Sequence, residues 1–236
     1  MPIEAVIFDW GGTLTPWRTV DYRDEWRSLA SVSGVADVEQ LTSALLEAAE
    51  SVWARSRDEY RSATFEEICE LAGLQPQPHH ADAYRAFWEP ATAADPDVAP
   101  LLHRLHADGL VIGVLSNTVW PRAWHEEIFA RDGLLELIDG AVYTSELPWT
   151  KPHPAAFTAA HEAVGVDDPA RCVFVGDRLF DDIWGAGNAG MRTVWLPHSE
   201  IPRDQVGHTQ GQPDAVVQRL GEVHEVVSRW RTADGS

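Results

Sequence analysis

Five short runs of apolar residues, none of them alternating with polar ones, limit what this chain can fold into: 5–8, 111–115, 141–143, 172–175 and 193–196. A strand with one wet face alternates, whereas a strand covered on both faces reads as an unbroken apolar run. The five runs therefore predict parallel strands between two layers of helices. Helical stretches separate the last four at the spacing of βαβ units. The first gap, from residue 9 to residue 110, is far too long for a single crossover and carries helical periodicity. Val38, Leu41, Leu45, Ala48 and Val52 step by 3, 4, 3 and 4, which draws one apolar stripe on a helix. Thr64 with Glu67 predicts a capping box opening another. Patterns around 22–31 and 81–90 complete a small bundle. The expected architecture is an α/β core interrupted by an all-helical insertion over residues 18–95. The final "TADGS", residues 232–236, reads as a frayed end.

Charge and cysteine content exclude several classes of function. Eighteen basic against 37 acidic residues give 18 − 37 = −19, a balance that repels nucleic acid and reads as a solvated acidic surface. Cys69 and Cys172 are too few for a disulfide framework or a cysteine zinc site. The N-terminus has neither the basic region nor the apolar run of a signal peptide. No stretch approaches the roughly 18 apolar residues of a membrane span. These features predict a cytoplasmic protein in a reducing compartment, with no nucleic-acid or membrane partner.

In an open parallel sheet, ligands bind beyond the carboxyl ends of the strands. Asp9 ends the first run in "VIFDWGGTLT". Ser116 and Asn117 follow the second in "GVLSNT", and Gly176 and Asp177 follow the fourth in "CVFVGDRLFDD". One polar residue after a strand is ordinary turn chemistry, but three such positions on one edge make a candidate site. Lys151 adds an independent signal. Of the 18 basic residues it is the only lysine, against seventeen arginines, and it follows the third run. A compact ammonium rather than a guanidinium fork is what that position keeps.

Asp9 with "GGT", Ser116, Lys151 with Pro152, and "GDRLFDD" together resemble the four ordered motifs of the haloacid dehalogenase superfamily. The resemblance runs over nearly the whole chain. It implies a Rossmann-like, three-layer parallel-sheet core at residues 1–17 and 96–236, with a helical cap at 18–95. It further implies Mg²⁺ and covalent catalysis by an aspartate, most often on phosphate esters of small metabolites. By position, Asp9 would be the nucleophile and a metal ligand, the Gly11 carbonyl and Asp177 further ligands, and Asp182, beside Asp181, an outer one. Ser116, Asn117 through its backbone, and Gly12 would bind phosphate. Lys151 would neutralise charge on Asp9 and on the group being transferred. These are hard oxygen ligands and fixed positive charge, the needs of phosphoryl transfer. Acids near 181–182 also suit a helix N-terminus for reasons of dipole alone.

Position 11 departs from the family's phosphatases, where an aspartate protonates the leaving oxygen and later activates water. Glycine leaves three readings within the resemblance. One is a phosphatase without that acid. Another is a 2-haloacid dehalogenase, which needs no proton for its leaving halide but does without a metal, so Asp177 and Asp182 count against it. The opening "EAVIFDWGGT" also resembles phosphonoacetaldehyde hydrolases, which need a cap lysine that this chain lacks. A binding protein that has lost catalysis is a fourth reading. Restoring a side chain at position 11 requires that the turn not demand φ > 0 there.

Other signals carry less. "GAGNAG", 185–190, matches a dinucleotide fingerprint but closes a helix before a strand, the reverse of the required context. The ten histidines, including His79 with His80 and His103 with His106, lack metal-ligand companions and read as surface or packing residues. Trp10, Trp120 and Trp149 are candidates for a pocket lining, with core packing the plainer expectation.

Overall fold

Each apolar run forms a strand, and the strands lie parallel in the order β3-β2-β1-β4-β5-β6. The computed structural model describes residues 2–197 and 208–234. The strands are β1 (Ala5–Phe8), β2 (Val111–Ser116), β3 (Gly140–Tyr143), β4 (Cys172–Gly176), β5 (Arg192–Trp195) and β6 (Ala215–Val216). The core helices are α5 (Val98–Ala107), α6 (Arg122–Arg131), α7 (Pro154–Ala163), α8 (Gly185–Asn188) and α9 (Val223–Asp234). In β1, Val6 and Phe8 pack on one side with Leu101 and Leu105 of α5 and Val223 and Val227 of α9. Ala5 and Ile7 pack on the other with Ala156, Phe157 and Ala160 of α7. Both faces are dry, which is why these strands could not alternate. Fully burying side chains of this size contributes roughly 1.5–3 kcal/mol each.

The strand ends differ from expectation by about one residue because the ladder ignores side-chain polarity. Ser116 pairs with Tyr143 and Gly176 with Trp195, so both belong to their strands rather than to the loops beyond. β5 begins at Arg192 and stops short of Leu196. The two-residue β6 was not expected from the sequence. It is held to β5 by Asp214, whose Oδ2 accepts from the Thr193 amide at 2.8 Å and hydroxyl at 3.1 Å. At the C-terminus, Val223, Val226 and Val227 hold α9 on the sheet. The helix runs to Asp234, so it extends through Thr232 where fraying was expected, and residues 235–236 lie outside the described residues.

Between β1 and α5 the chain forms α1 (Tyr22–Val32), α2 (Val38–Glu59), α3 (Phe65–Leu71) and α4 (Pro78–Trp88). The N–H of Asp95 donates to the carbonyl of Leu14 at 2.9 Å, which closes the base of this insertion. Asp21, Asp37 and Thr64 cap α1, α2 and α3 by accepting from the amides of Arg23, Gln40 and Glu67. The capping box expected at Thr64 is only half made, because the Glu67 carboxylate binds Arg55 at 2.7 Å instead. α4 starts earlier than the pattern suggested, with Pro78 in its first turn.

The insertion has its own hydrophobic centre of Trp26, Leu29, Leu45, Val52, Phe65 and Ile68, completed by Val119, Trp120 and Trp124 from the sheet domain. Glu25 is buried in that seam. Its Oε1 accepts from the Tyr84 hydroxyl at 2.5 Å and from Trp88 Nε1 at 3.1 Å, and Trp120 Nε1 donates to the Tyr84 oxygen at 3.2 Å. No helix among the described residues is long and apolar enough to cross a membrane.

Candidate active site

Strand order 3-2-1-4 places the ends of β2, β1 and β4 side by side at the point where the chain reverses its direction of travel through the sheet, which is where open α/β sheets bind ligands. Asp9 follows β1 directly, and its N–H still donates to the Val175 carbonyl at 2.9 Å. The chain then leaves in a tight turn in which the amides of Thr13 and Thr15 donate to the carbonyl of Trp10 at 3.2 and 2.9 Å. Gly12 has φ +91°, and a Cβ there would lie 2.6 Å from Asp177 Oδ2, so only glycine fits. Gly11 is different. It is exposed, its φ lies outside the left-handed region, and a Cβ would meet nothing within 4 Å.

Four charged groups converge in this pocket. Lys151 Nζ donates to Asp9 Oδ1 at 2.6 Å and to Asp182 Oδ1 at 2.7 Å. Asp182 Oδ2 accepts from the Arg178 amide at 2.9 Å. Asp9, Asp177, Asp182 and Lys151 are 6%, 4%, 0% and 3% exposed, so three carboxyl groups and one ammonium, bonded to two of them, sit together away from water. Burial pushes the Asp9 carboxyl up to about 6, against the lowering effect of Lys151. Burial, with the charges of Asp9 and Asp182, drives Asp177 well above the ordinary carboxylate range. Burial alone would lower the Lys151 ammonium, but Asp182 and Asp9 outweigh it and hold it above its ordinary value.

Asp177 decides whether the residues fit a cation. Both of its carboxylate oxygens are buried with no hydrogen-bond partner among the described residues, and the Arg178 guanidinium is 3.6 Å away. Buried carboxylate oxygens left unpaired are costly. One oxygen each from Asp9, Asp177 and Asp182 lies within 4.8 Å of the others, an all-oxygen donor set that suits a hard divalent ion. No other such grouping of acids, histidines and cysteines occurs among the described residues.

Ser116 sits buried at the end of β2. Asn117 does something the sequence did not reveal: its side chain brackets the backbone of Lys151, with Oδ1 accepting from the Lys151 N–H at 2.8 Å and Nδ2 donating to the Lys151 carbonyl at 3.0 Å. Asp181 is half-buried beside Asp182. Arg178 is a residue the motif reading passed over, although its place beside Asp177 was a signal; its guanidinium lies 4.9 Å from the Trp17 ring. Trp10 packs against both the sheet core and the insertion, 5.5 Å from Trp120. Trp149 stacks on His153 at 4.2 Å. "GAGNAG" is the short α8 and its exit into β5, where Gly185 packs on Phe157.

A doubly wound parallel sheet with a buried carboxylate, a paired lysine and further acids at its switch point is the arrangement of a class of α/β hydrolases. Residues 3–190 match the family model of haloacid dehalogenase-like hydrolases, and the chain belongs to that family. It is 33% identical to glyceraldehyde 3-phosphate phosphatase of Methanopyrus kandleri over 56% of this chain and 55% of that protein. The match thus spans about half the length of that relative. A haloacid dehalogenase-family phosphatase from Thermococcus onnurineus superposes with a TM-score of 0.68 at 22% identity, over 95% of this chain and 98% of that one. L-2-haloacid dehalogenase from Xanthobacter autotrophicus superposes with a TM-score of 0.63 at 22% identity, over 96% and 98%. Those two likenesses show the fold.

Proposed function

We propose that this hydrolase is a Mg²⁺-dependent phosphatase of small phosphorylated metabolites in the cytoplasm, working through a phosphorylated Asp9. In this reading residues 18–95 are a cap over a core made of 1–17 and 96–236. The observation that carries it is the orphaned Asp177 carboxylate beside the Asp9–Lys151–Asp182 cluster. A metal-free dehalogenase has no use for buried acids that only a cation can satisfy. The phosphatase name of the curated relative supports the same choice, while Gly11 is the feature that favours the dehalogenase.

Asp9, the Gly11 carbonyl and Asp177 would hold the ion. Asp182, whose two oxygens are committed to Lys151 and the Arg178 amide, would support it from outside. When bound, Mg²⁺ would supply positive charge for the phosphoryl oxygens. Lys151 fixes Asp9 Oδ1, which leaves Oδ2 for attack. That oxygen bonds to phosphorus as the ester P–O bond breaks, and the leaving alkoxide takes its proton from water because no acid stands at position 11. Ser116 and the Asn117 amide would bind the phosphoryl oxygens; the Gly12 amide, expected to join them, instead donates to the Thr15 carbonyl at 2.8 Å within the turn. Water then attacks the phosphorus of the aspartyl phosphate, inorganic phosphate departs and the Asp9 carboxylate returns. The test is one panel: aryl and alkyl phosphates against 2-chloro acids, with and without Mg²⁺. Mg²⁺-dependent release of phosphate supports the reading; metal-independent halide release selects the dehalogenase, and no turnover of any substrate selects the degenerate binding protein.

A further inference from the structure

Resting on the phosphatase reading above, we propose that Thr150 is a positioning residue through which the docked insertion sets Lys151. Ammonium bonds as short as those to Asp9 and Asp182 require the lysine backbone to start from the right place. One side of that backbone is bracketed by Asn117. The residue just before it is held by the insertion through its N–H and its hydroxyl, while its carbonyl accepts locally from the His153 N–H at 2.9 Å. Thr150 donates its N–H to the Tyr60 carbonyl at 2.9 Å, and its Oγ1 accepts from the Ser56 hydroxyl at 3.0 Å. Both hydroxyl residues are buried, Thr150 at 3% and Ser56 at 9% exposure.

The contact continues upstream as a short ribbon. The Ser62 N–H donates to the Pro148 carbonyl at 3.2 Å, its hydroxyl donates to the Leu147 carbonyl, and Arg61 faces Trp149 in an antiparallel bridge. Tyr60 makes this possible. It ends α2 with φ 56° and ψ 30°, and among the described residues no other non-glycine has positive φ. Glycine is the usual residue there. The left-handed turn carries the chain out of α2 so that the Tyr60 carbonyl meets Thr150. If the insertion lifts, Thr150 loses the partners of its N–H and its hydroxyl and keeps only the local bond from the His153 N–H, while the Lys151 backbone keeps the Asn117 bracket. Docking of the insertion therefore completes the geometry of the lysine, beyond excluding water from the site.

Because the chain has one lysine, labelling with [¹⁵N]lysine reports one backbone amide, that of Lys151. In the full-length protein with Mg²⁺, Thr150→Val and Ser56→Ala should each shift that amide resonance and speed its hydrogen exchange about tenfold. Each should also lower kcat on an aryl phosphate about tenfold, with KM changed less than about twofold. Thr150→Ser should restore both readouts, and the double variant should be no worse than either single one. Thr42→Val is the control, since it removes a fully buried hydroxyl of α2 that bonds only to Val38 of its own helix. The proposal is overturned by a parent-like Lys151 amide and kcat in Thr150→Val and Ser56→Ala, by losses that add in the double variant, or by equal changes in Thr42→Val. If the parent turns over no phosphate ester, the phosphatase reading fails while the amide resonance still judges the relay.

Discussion

At the sheet edge, Asp9 and Asp182 share the ammonium of Lys151 and the Asp177 carboxyl is left beside them with Arg178 at 3.6 Å, whereas beneath the insertion Glu25 is buried with two neutral donors and no cation. Both regions bury carboxyl groups, and they resolve the cost in opposite ways. Glu25 is pushed up to about 7 by burial, against the lowering bonds from Tyr84 and Trp88, so near neutrality it holds its proton for much of the time and asks nothing of a ligand. The sheet-edge cluster keeps its lysine charged and leaves both oxygens of Asp177 without a hydrogen bond among the described residues. A buried acid that is complete by itself belongs to the architecture, and one that is not complete marks where a ligand must come.

The largest effect falls on the proposed nucleophile. Asp9→Asn keeps the shape but removes the attacking oxygen anion, so Mg²⁺-dependent turnover of an aryl phosphate should fall at least about 10³-fold. Activity close to the parent's would place the chemistry elsewhere and remove the reason for treating the sheet edge as the functional half of the comparison.

Glu25 gives the next effect, and its sign follows from linkage. Its ordinary value is 4.5 and its folded value about 7. Below 4.5 both folded and unfolded chains hold the proton, and between 4.5 and 7 the unfolded chain gives it up first. Stability from this group is therefore complete in acid and lost as pH rises to 7. Burial this deep makes the loss on the order of 3 kcal/mol. Urea unfolding at pH 5 and pH 8 should show a smaller decline in Glu25→Gln than in the parent. Equal declines would mean that Glu25 does not titrate there and is not the self-contained acid described.

Legibility in the sequence divides along the same line. The strands and the site acids were readable because each rests on local order: an unbroken apolar run, then a polar residue at its end. Lys151 was readable from composition alone. The Glu25 network was not, since it joins α1, α4 and a core loop across residues 25, 84, 88 and 120, and no local pattern marks an acid that two distant aromatics will bind, one of them held in turn by a third. The bracket of Asn117 on Lys151 and the contact of Ser56 with Thr150 are hidden for the same reason, being separated by 34 and 94 positions. β6 was missed because a two-residue pairing carries no periodicity. The difference between Gly11 and Gly12 is also tertiary: adjacent glycines read alike until Asp177 is seen against only one of them.

Metal linkage sharpens the unsatisfied side. A ligand bound only to the folded state at 100 times its Kd adds about 2.7 kcal/mol. For a chain of this length that raises Tm by roughly 5–10 °C. The parent should show such a rise with millimolar Mg²⁺. Asp177→Asn should lose it and should melt higher than the parent in chelator, because a buried acid crowded by Asp9 and Asp182 has been replaced by a neutral group. An Mg²⁺-independent parent melt would contradict the assignment of Asp177.

The smallest expected change is a gain, at the one place in the turn with room for it. In the proposed mechanism, with glycine at position 11, attack by Asp9 needs no proton transfer, but hydrolysis of the aspartyl phosphate lacks a base to activate water. Phosphorylated Asp9 should therefore accumulate, and intact-protein mass after rapid mixing with an aryl or acyl phosphate and Mg²⁺ should record one added phosphoryl group. Gly11→Asp can be built without strain, since φ is not left-handed and the Cβ direction is open. A positioned acid or base is worth about 10²- to 10⁴-fold. A new carboxylate on an exposed turn has no packing to fix its rotamer, so the gain should be nearer tenfold, or about 1.4 kcal/mol of barrier. It should appear as faster loss of the phosphoenzyme and as improved turnover of alkyl phosphates, whose leaving groups need the proton most. Should the parent already hydrolyse alkyl phosphates quickly with no phosphoenzyme, another residue supplies the proton, and Gly11→Asp would then change neither rate.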